Sequence, residues 1–359
     1  MKLRRLPAWL ILLALLVACQ SAPQAVAPTP PPATPAPGKL RLFWVDSYTE
    51  ADIWSQQVRT GFLETLARND YSVIDGTLEM QVFSMDVRRA VSYEDLTAAA
   101  ARVVEMIQDF RPDMVVVAGD EATRAVITSY PDRTMPFVFC GFVGNPAMYN
   151  LYLPNVTGVP ENLHPVQTVA LAYAFIKGAH QYMVLGDASL SGRARALAVY
   201  TELGKSEYAA TMATLEMVET WDDWQALVLE AGQQVDFIVL ASYQGIVDAT
   251  GALVDEREVM RWMLQNSPVP VFALSNLAIL DGAVGGLVAY GYEDGVAVGE
   301  RVLALARGVP PAEIPISGPS RNLLAINLAA VRRWNLRIPI TFPLVARIYR
   351  TLPAVEGGY

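Results

Sequence analysis

Short apolar runs that end in glycine or a small polar residue alternate with helically spaced segments twice over. One series precedes the stretch Pro154-Asn155-Val156-Thr157-Gly158-Val159-Pro160-Glu161-Asn162 and the other follows it. Before it, strands are expected over 40–46, 78–83, 113–118 and 136–140. Between them come helices through Trp54, Val58, Phe62 and Leu66, over 93–110 and over 121–129. After it, strands are expected over 181–186, 211–218, 236–241 and 269–274, with helices over 189–205, 221–232 and 246–265. Strands that alternate with helices in this way run parallel and are covered on both faces. The expectation is an α/β chain of two doubly wound parallel-sheet lobes.

The dividing stretch is bracketed by prolines and β-branched in its middle, which suits an extended segment passing between lobes. An ordinary surface turn is the alternative. Further on, a glycine-rich strand over 284–290, a helix over 293–307, a strand over 323–327 and a short helix over 328–334 are expected. Elements placed so late complete both sheets by crossing back and forth, which makes a three-segment hinge. This assigns 39–160 and 282–316 to the first lobe, 161–281 and 317–350 to the second, and 351–359 to a tail.

The N-terminus speaks to location. Lys2, Arg4 and Arg5 precede an apolar segment over 6–17, and Leu16-Val17-Ala18 leads into Cys19. This looks like a bacterial lipoprotein signal, with cleavage after residue 18 and a lipid on Cys19 that holds the chain to the membrane, outside the cytoplasm. A plain secretory signal or short anchor is the alternative. Removing residues 1–18 takes away three positive charges and no negative ones, so the formal charge goes from −9 to −12. Residues 19–38 carry prolines at 23, 28, 30, 31, 32, 35 and 37, a composition that gives an extended tether. Cys140, inside Phe137-Val138-Phe139-Cys140, reads as a core thiol.

Several activities are disfavoured by what the chain lacks. No block of Lys or Arg follows residue 5, so nucleic acid is not an expected partner. The two histidines, His164 and His180, have no Cys or carboxylate at metal-ligand spacing. There is no G-x-S-x-G elbow, no phosphate-cradling G-x-x-x-x-G-K-[ST], and no G-x-G-x-x-G after a first strand. Neither an enzyme nor a cofactor or metal site is expected.

Ligands of open α/β sheets sit outside the carboxyl ends of the strands. In the first half those ends carry Ser47, Tyr48, Gly119, Asp120, Glu121, Phe142 and Asn145, with Glu161 at the crossing. In the second they carry Asp187, Ser189, Ser242, Tyr243, Gln244, Ser275 and Asn276. Helix capping and ligand contact are both open for the short polar residues among them.

Several segments, in order and spacing, resemble one family: 113–120, 136–146, Asn155-Val156-Thr157-Gly158-Val159, 282–290, 305–315 ending in Glu313-Ile314-Pro315, and Leu324-Ala325-Ile326-Asn327-Leu328 through Leu336-Arg337-Ile338-Pro339. They are similar to the substrate-binding lipoproteins of bacterial ABC transporters with the type I periplasmic-binding-protein fold, in particular the group with tryptophan and tyrosine binders. The resemblance covers roughly residues 39–350. It implies a monomer that captures a small organic solute, amino-acid-like, and delivers it to permease and ATPase subunits. Asp120 stands where the family usually has a small hydroxyl residue, and Tyr243-Gln244-Gly245 where an acidic residue and Asn are frequent. For an aromatic amino acid, the implied roles are an apolar slot of Tyr48, Phe142 and Tyr243, an ammonium partner in Asp120 or Glu161, and Ser47 with backbone N–H groups for the carboxylate. A sensing module for a signalling partner is the alternative function.

Overall fold

A computed structural model describes residues 38–87, 93–339 and 342–351. The expectations for the signal, for Cys19 and its lipid, for the tether through residue 37 and for the tail beyond 351 lie outside the described residues.

The first sheet contains β1 (Leu40–Asp46), β2 (Leu78–Ser84), β3 (Met114–Ala118), β4 (Phe137–Phe142) and β5 (Val156–Pro160), all parallel in the order β2-β1-β3-β4-β5. Alternate residues of its buried strands serve opposite faces, as strand pleating requires. Phe43, Val45, Val115, Val117, Phe137 and Phe139 pack with Ala99, Val103 and Ile107 of α2 (Tyr93–Phe110) and Ala122 and Val126 of α3 (Asp120–Ser129). Leu42, Trp44, Val116, Val138 and Cys140 face the other way. There they meet Val58, Phe62 and Leu66 of α1 (Ile53–Ala67) and a helix from far down the chain. Cys140 is fully buried in that layer.

The second sheet repeats the plan. Strands β6 (Tyr182–Asp187), β7 (Met212–Val218), β8 (Phe237–Leu240) and β9 (Val271–Ala273) are parallel in the order β7-β6-β8-β9. Met183, Leu185, Ile238 and Leu240 pack against α6 (Trp221–Gln234) and α7 (Glu256–Asn266) through Trp224, Val228, Val259 and Met263. Tyr182, Val184, Phe237 and Val239 pack against α4 (Pro165–Phe175) and α5 (Leu190–Gly204) through Val169, Ala172, Val199 and Leu203. The short α8 (Asn276–Leu280) follows β9. Beyond it, β10 (Gly285–Val288) lies beside β9, Val284 N–H donating to Val271 O at 2.7 Å. Next to β10 runs β11 (Leu323–Asn327), antiparallel to it, with β12 (Arg347–Tyr349) parallel to β11 at the edge. The antiparallel pairing of β10 with β11 departs from the all-parallel expectation. β10 keeps the direction of β9, with Ser275 and Ala289 bridged in parallel just beyond the two strands, whereas β11 enters from the third crossing and runs the opposite way.

Helix α9 (Gly291–Ala306) returns to the first lobe. It meets α1 backbone to backbone: a Cβ on Gly61 would lie 2.1 Å from Tyr292 O, and one on Gly295 would lie 1.9 Å from Val58 O. Only residues without side chains permit this approach. Residues 282–289 thus lie with the second sheet and the chain crosses just before α9, later than the boundary at 282 drawn from the sequence. After α9, Ile314 O accepts from Thr157 Oγ1 at 2.9 Å and Ser317 N–H donates to Gly158 O at 3.3 Å, so this return path lies along β5. The three crossings fall at 161–164, 289–291 and 317–322.

Two local expectations change. The stretch over 156–160 is a fifth strand before it is a hinge, because its Val-Thr-Gly-Val core pairs along β4. The helix expected over 246–265 starts only at Glu256. Ahead of it, Asp248 Oδ1 accepts from the N–H groups of Thr250 and Ala252, and Gly251 sits at φ +81°, which holds a turn where the helix would have begun.

Candidate ligand cleft

The two sheets present their carboxyl ends to one cavity of about 600 Å³, within the range typical of small-molecule sites. Registers explain the convergence. Asp46 pairs with Ala118, which pairs with Cys140, so the residues after β1, β3 and β4 emerge at one level. Asp187 and Val218 do the same in the second sheet.

The first-lobe wall is built on Asp46. Its carboxylate accepts from Ser55 Oγ at 2.7 Å and from Tyr48 N–H at 3.2 Å, which fixes the turn carrying Tyr48. Burial pushes the Asp46 carboxyl up to about 6, against the Ser55 and Tyr48 bonds and the Arg59 guanidinium. Tyr48 reaches the cavity and meets Trp54 edge-on, their centroids 6.0 Å apart. Trp54 lies over Gly141, where a Cβ would come within 2.4 Å of the indole. That clash explains the glycine at the end of β4.

Ser47 and Gly119 do not line the cavity. Ser47 Oγ accepts from Ala122 N–H at 3.0 Å and caps α3 from a neighbouring strand, because Gly119 at the cap position has no side chain to do so. The carboxylate role expected of Ser47 is therefore taken up by structure. Asp120 opens α3 inside the cavity, almost fully buried. Its Oδ2 pairs with Arg124 at 2.7 Å, while Oδ1 has no hydrogen-bond partner among the described residues. Burial, helped by Glu121 and Glu161 and opposed by Arg124 and Arg195, raises its carboxyl to about 7. Glu121 also lines the cavity, and its Oε2 is likewise unpartnered among the described residues.

Phe142 is core, not slot: it is fully buried, and Arg124 lies 5.5 Å above its ring and 4.2 Å above that of Tyr149. Asn145 lies outside the cavity and caps a 3₁₀ turn through Ala147 N–H. Glu161, at the first crossing, lines the cavity but already holds a partner. Arg195 Nη2 of α5 reaches it from the second lobe at 2.5 Å. Burial works against the Arg195 charge, yet the Glu161 carboxylate keeps its pKa above the ordinary value. Arg195 Nη1 has no partner among the described residues.

The second-lobe wall consists mostly of groups bonded to one another. Asp187 Oδ1 accepts from both the N–H and the hydroxyl of Ser189, whose Oγ in turn accepts from Gly192 N–H and caps α5. Ser242 Oγ accepts from Asp187 N–H at 3.1 Å. Gln244 Oε1 accepts from Tyr243 N–H. Ser275 caps α8 through Ala278 N–H, and Asn276 Oδ1 accepts from Tyr349 OH at 2.7 Å. All of these except Tyr243, Gly192, Ala278 and Tyr349 line the cavity. Tyr243 points the other way, buried in the core with its hydroxyl donating to Asp281 Oδ2 at 3.1 Å. The expected aromatic slot therefore keeps Tyr48, loses Phe142 and Tyr243, and gains Trp54.

Trp54, Gln57 and Arg195 line the cavity without having been singled out as site residues from the sequence. The signal for Trp54 was an aromatic in the first turn of the helix after β1; Arg195, in mid-helix, gave none. Among the described residues, no group of three His, Cys, Asp or Glu is placed to hold a metal ion, and no helix is long and apolar enough to cross a membrane.

A search of curated proteins finds no match. Solved structures match at low identity over most of the chain, which speaks to fold. The ABC domain in complex with L-Trp from Streptococcus pneumonia matches with TM-score 0.66 at 17% identity, covering 87% of this chain and all of that one. A conserved domain protein from Vibrio cholerae matches with TM-score 0.66 at 18% identity and the same coverage. The ligand-free, open structure of a substrate-binding protein with adhesive properties from Clostridium difficile matches with TM-score 0.63 at 12% identity, covering 87% of this chain and 99% of that one. A periplasmic ribose ABC transporter from Conexibacter woesei matches with TM-score 0.53 at 10% identity, covering 84% of this chain and 96% of that one. The architecture is the type I periplasmic-binding-protein fold. The family model for ABC transporter substrate binding protein matches residues 54–342, and with that span the chain belongs to the ABC transporter substrate-binding family.

Proposed function

We propose that the chain captures a small amino-acid-like solute between its lobes and hands it, unaltered, to the permease and ATPase of an ABC transporter. One observation carries the amino-acid preference: the cavity holds unpartnered buried groups of both signs. Asp120 Oδ1 and Glu121 Oε2 lie on the first lobe and Arg195 Nη1 on the second. Buried polar groups left unpaired are costly, so a solute that brings an ammonium to one set and an acceptor to the other is favoured over a neutral one. Among the described residues lining the cavity, the carboxylates Asp120, Glu121, Glu161 and Asp187 outnumber the single guanidinium of Arg195, so the solute's amine is its dominant handle. The Tyr48–Trp54 corner offers an apolar edge for a side chain, and the L-Trp bound in the Streptococcus protein makes aromatic amino acids the first candidates.

A ligand that touches both walls stabilises the closed arrangement by its differential contacts. With a lipid on Cys19 and the proline-rich stretch as tether, the protein works as a monomer at the outer face of the cell membrane. The test is a thermal-shift screen of the purified full chain against amino acids, nucleosides and sugars. A solute at 100 times its Kd stabilises by about 2.7 kcal/mol, which is a readily visible rise in Tm. The amino-acid reading falls if a sugar or nucleoside raises Tm and no amino acid does.

A further inference from the structure

Arg195 occupies a position unlike any other residue of the cleft. It rises from α5 in the second lobe, lines the cavity and pairs through Nη2 with Glu161, the residue at which the chain leaves β5 of the first lobe. Glu161 is itself anchored to the first sheet, its N–H donating to Phe142 O at 2.8 Å. The Arg195 side chain is about one-fifth exposed and lines the cavity, and its Nη1 finds no acceptor among the described residues. A guanidinium is a planar fork that binds carboxylates with two N–H groups at once. Here one arm is fixed on Glu161 and the other is buried without an acceptor among the described residues. The opposing first-lobe surface shows the converse, with carboxylate oxygens of Asp120 and Glu121 that lack donors.

We propose that Arg195 is the specificity residue that reads a carboxylate on the solute, taking it on Nη1 while Nη2 stays on Glu161. The bond to Glu161 pre-orients the fork, so little side-chain freedom is lost when the solute arrives. It also makes one guanidinium the shared partner of solute and hinge. A bound acid is thereby linked to both lobes through a single side chain. Amines without an acidic group leave Nη1 empty and gain nothing from it. The proposal rests on the solute reading above in one respect only, that the cleft takes a small charged organic molecule.

The experiment uses the purified full chain, its Arg195→Gln and Glu161→Gln variants, and calorimetric titration with matched probes. These are L-phenylalanine, phenethylamine without the carboxylate and 3-phenylpropanoate without the ammonium, together with the corresponding leucine and alanine sets. Wild type is expected to bind the amino acid of at least one set more tightly than its amine, and Arg195 to act on the carboxylate-bearing members of that set. Arg195→Gln should weaken those members by about tenfold to a hundredfold, the scale of a charge-assisted hydrogen bond, and leave the amine bound at least as well as before. Glu161→Gln, which keeps the arginine but loosens its support, should weaken them by a smaller factor. Arg195→Lys keeps the charge without the fork and serves if the glutamine variant fails to fold; it should recover only part of the preference.

The proposal is overturned if Arg195→Gln or Arg195→Lys retains the full preference for the carboxylate, if wild type binds the amine as tightly as the amino acid, or if no carboxylate-bearing probe binds. Binding of the deaminated acids without the amino acids would retire the amino-acid reading and leave the role of Arg195 standing. Amino-acid binding untouched by either Arg195 variant would do the reverse.

Discussion

The two walls of the cleft are made of similar residue types and behave differently. On the second lobe, Asp187, Ser189 and Ser242 bond to one another, and Ser275 and Asn276 bond to α8 and to Tyr349, so most of that surface is complete before a solute arrives. On the first lobe, Asp120 and Glu121 open a helix with oxygens left over, and Tyr48 and Trp54 line the cavity. Hydroxyls and amides near helix starts are consumed by capping, whereas carboxylates just inside a helix start have no such local duty. On the proposed reading, the second wall is a shaped surface with one active arm, Arg195, and the first wall carries most of the recognition.

Four measurements would break or sharpen that contrast. The largest effect is expected from Tyr243→Ala, which empties a fully buried aromatic site and should cost about 3–5 kcal/mol of apo stability by denaturant titration. Unchanged apo stability would return Tyr243 to the cleft.

Next comes Asp120→Asn. It removes the anion facing the solute while keeping the shape, and should lower amine affinity by about 1.5–3 kcal/mol in calorimetry. Apo stability should hold or rise, because a desolvated carboxylate disappears.

Third is pH. Asp120 sits near 7 and is faced by Arg124, Glu121, Arg195 and Glu161. A raised carboxyl means that the folded chain holds a proton which the unfolded chain has released, so apo stability should fall as pH rises from about 4 to 7, with Asp46 contributing up to about 6. Affinity for an ammonium should move oppositely, rising by at most about tenfold per unit up to pH 7 and levelling off above it. Asp120→Asn should flatten the affinity profile. A flat wild-type profile would mean that the first wall does not use this group.

The smallest effect is that of Ser189→Ala, which removes a cap at the second wall. It should cost about 0.5–2 kcal/mol of stability and leave solute affinity within a factor of about three.

The βα rhythm was legible because buried parallel strands are nearly continuous apolar runs. Val115, Val116 and Val117 read the same whichever face they serve. That same property hid the orientation of residues at strand ends, so Phe142 and Tyr243 were indistinguishable from cavity aromatics until packing showed them in the core. The segment at 156–160 carried strand chemistry, but its flanking prolines suggested only a passage. The three residues of β12 are too few for any pattern. Arg195 was out of reach because its meaning comes from a partner 34 positions earlier in the other lobe. Asp120 was visible, since a carboxylate directly after a buried strand and a glycine is open to view in the sequence.

The glycine-lined seam between α1 and α9 has a mechanical consequence. With Gly61 and Gly295 set against opposing carbonyls, α9 travels with the first lobe as one stiff plank, so any pivot on that path is confined to the few residues ahead of Gly291. Gly318 is pressed just as tightly against Asn162 on the two neighbouring paths, where a Cβ would come within 2.1 Å of the amide. The halves are bound like the boards of a book along a narrow spine, free to swing about that line and poorly able to slide or twist across it.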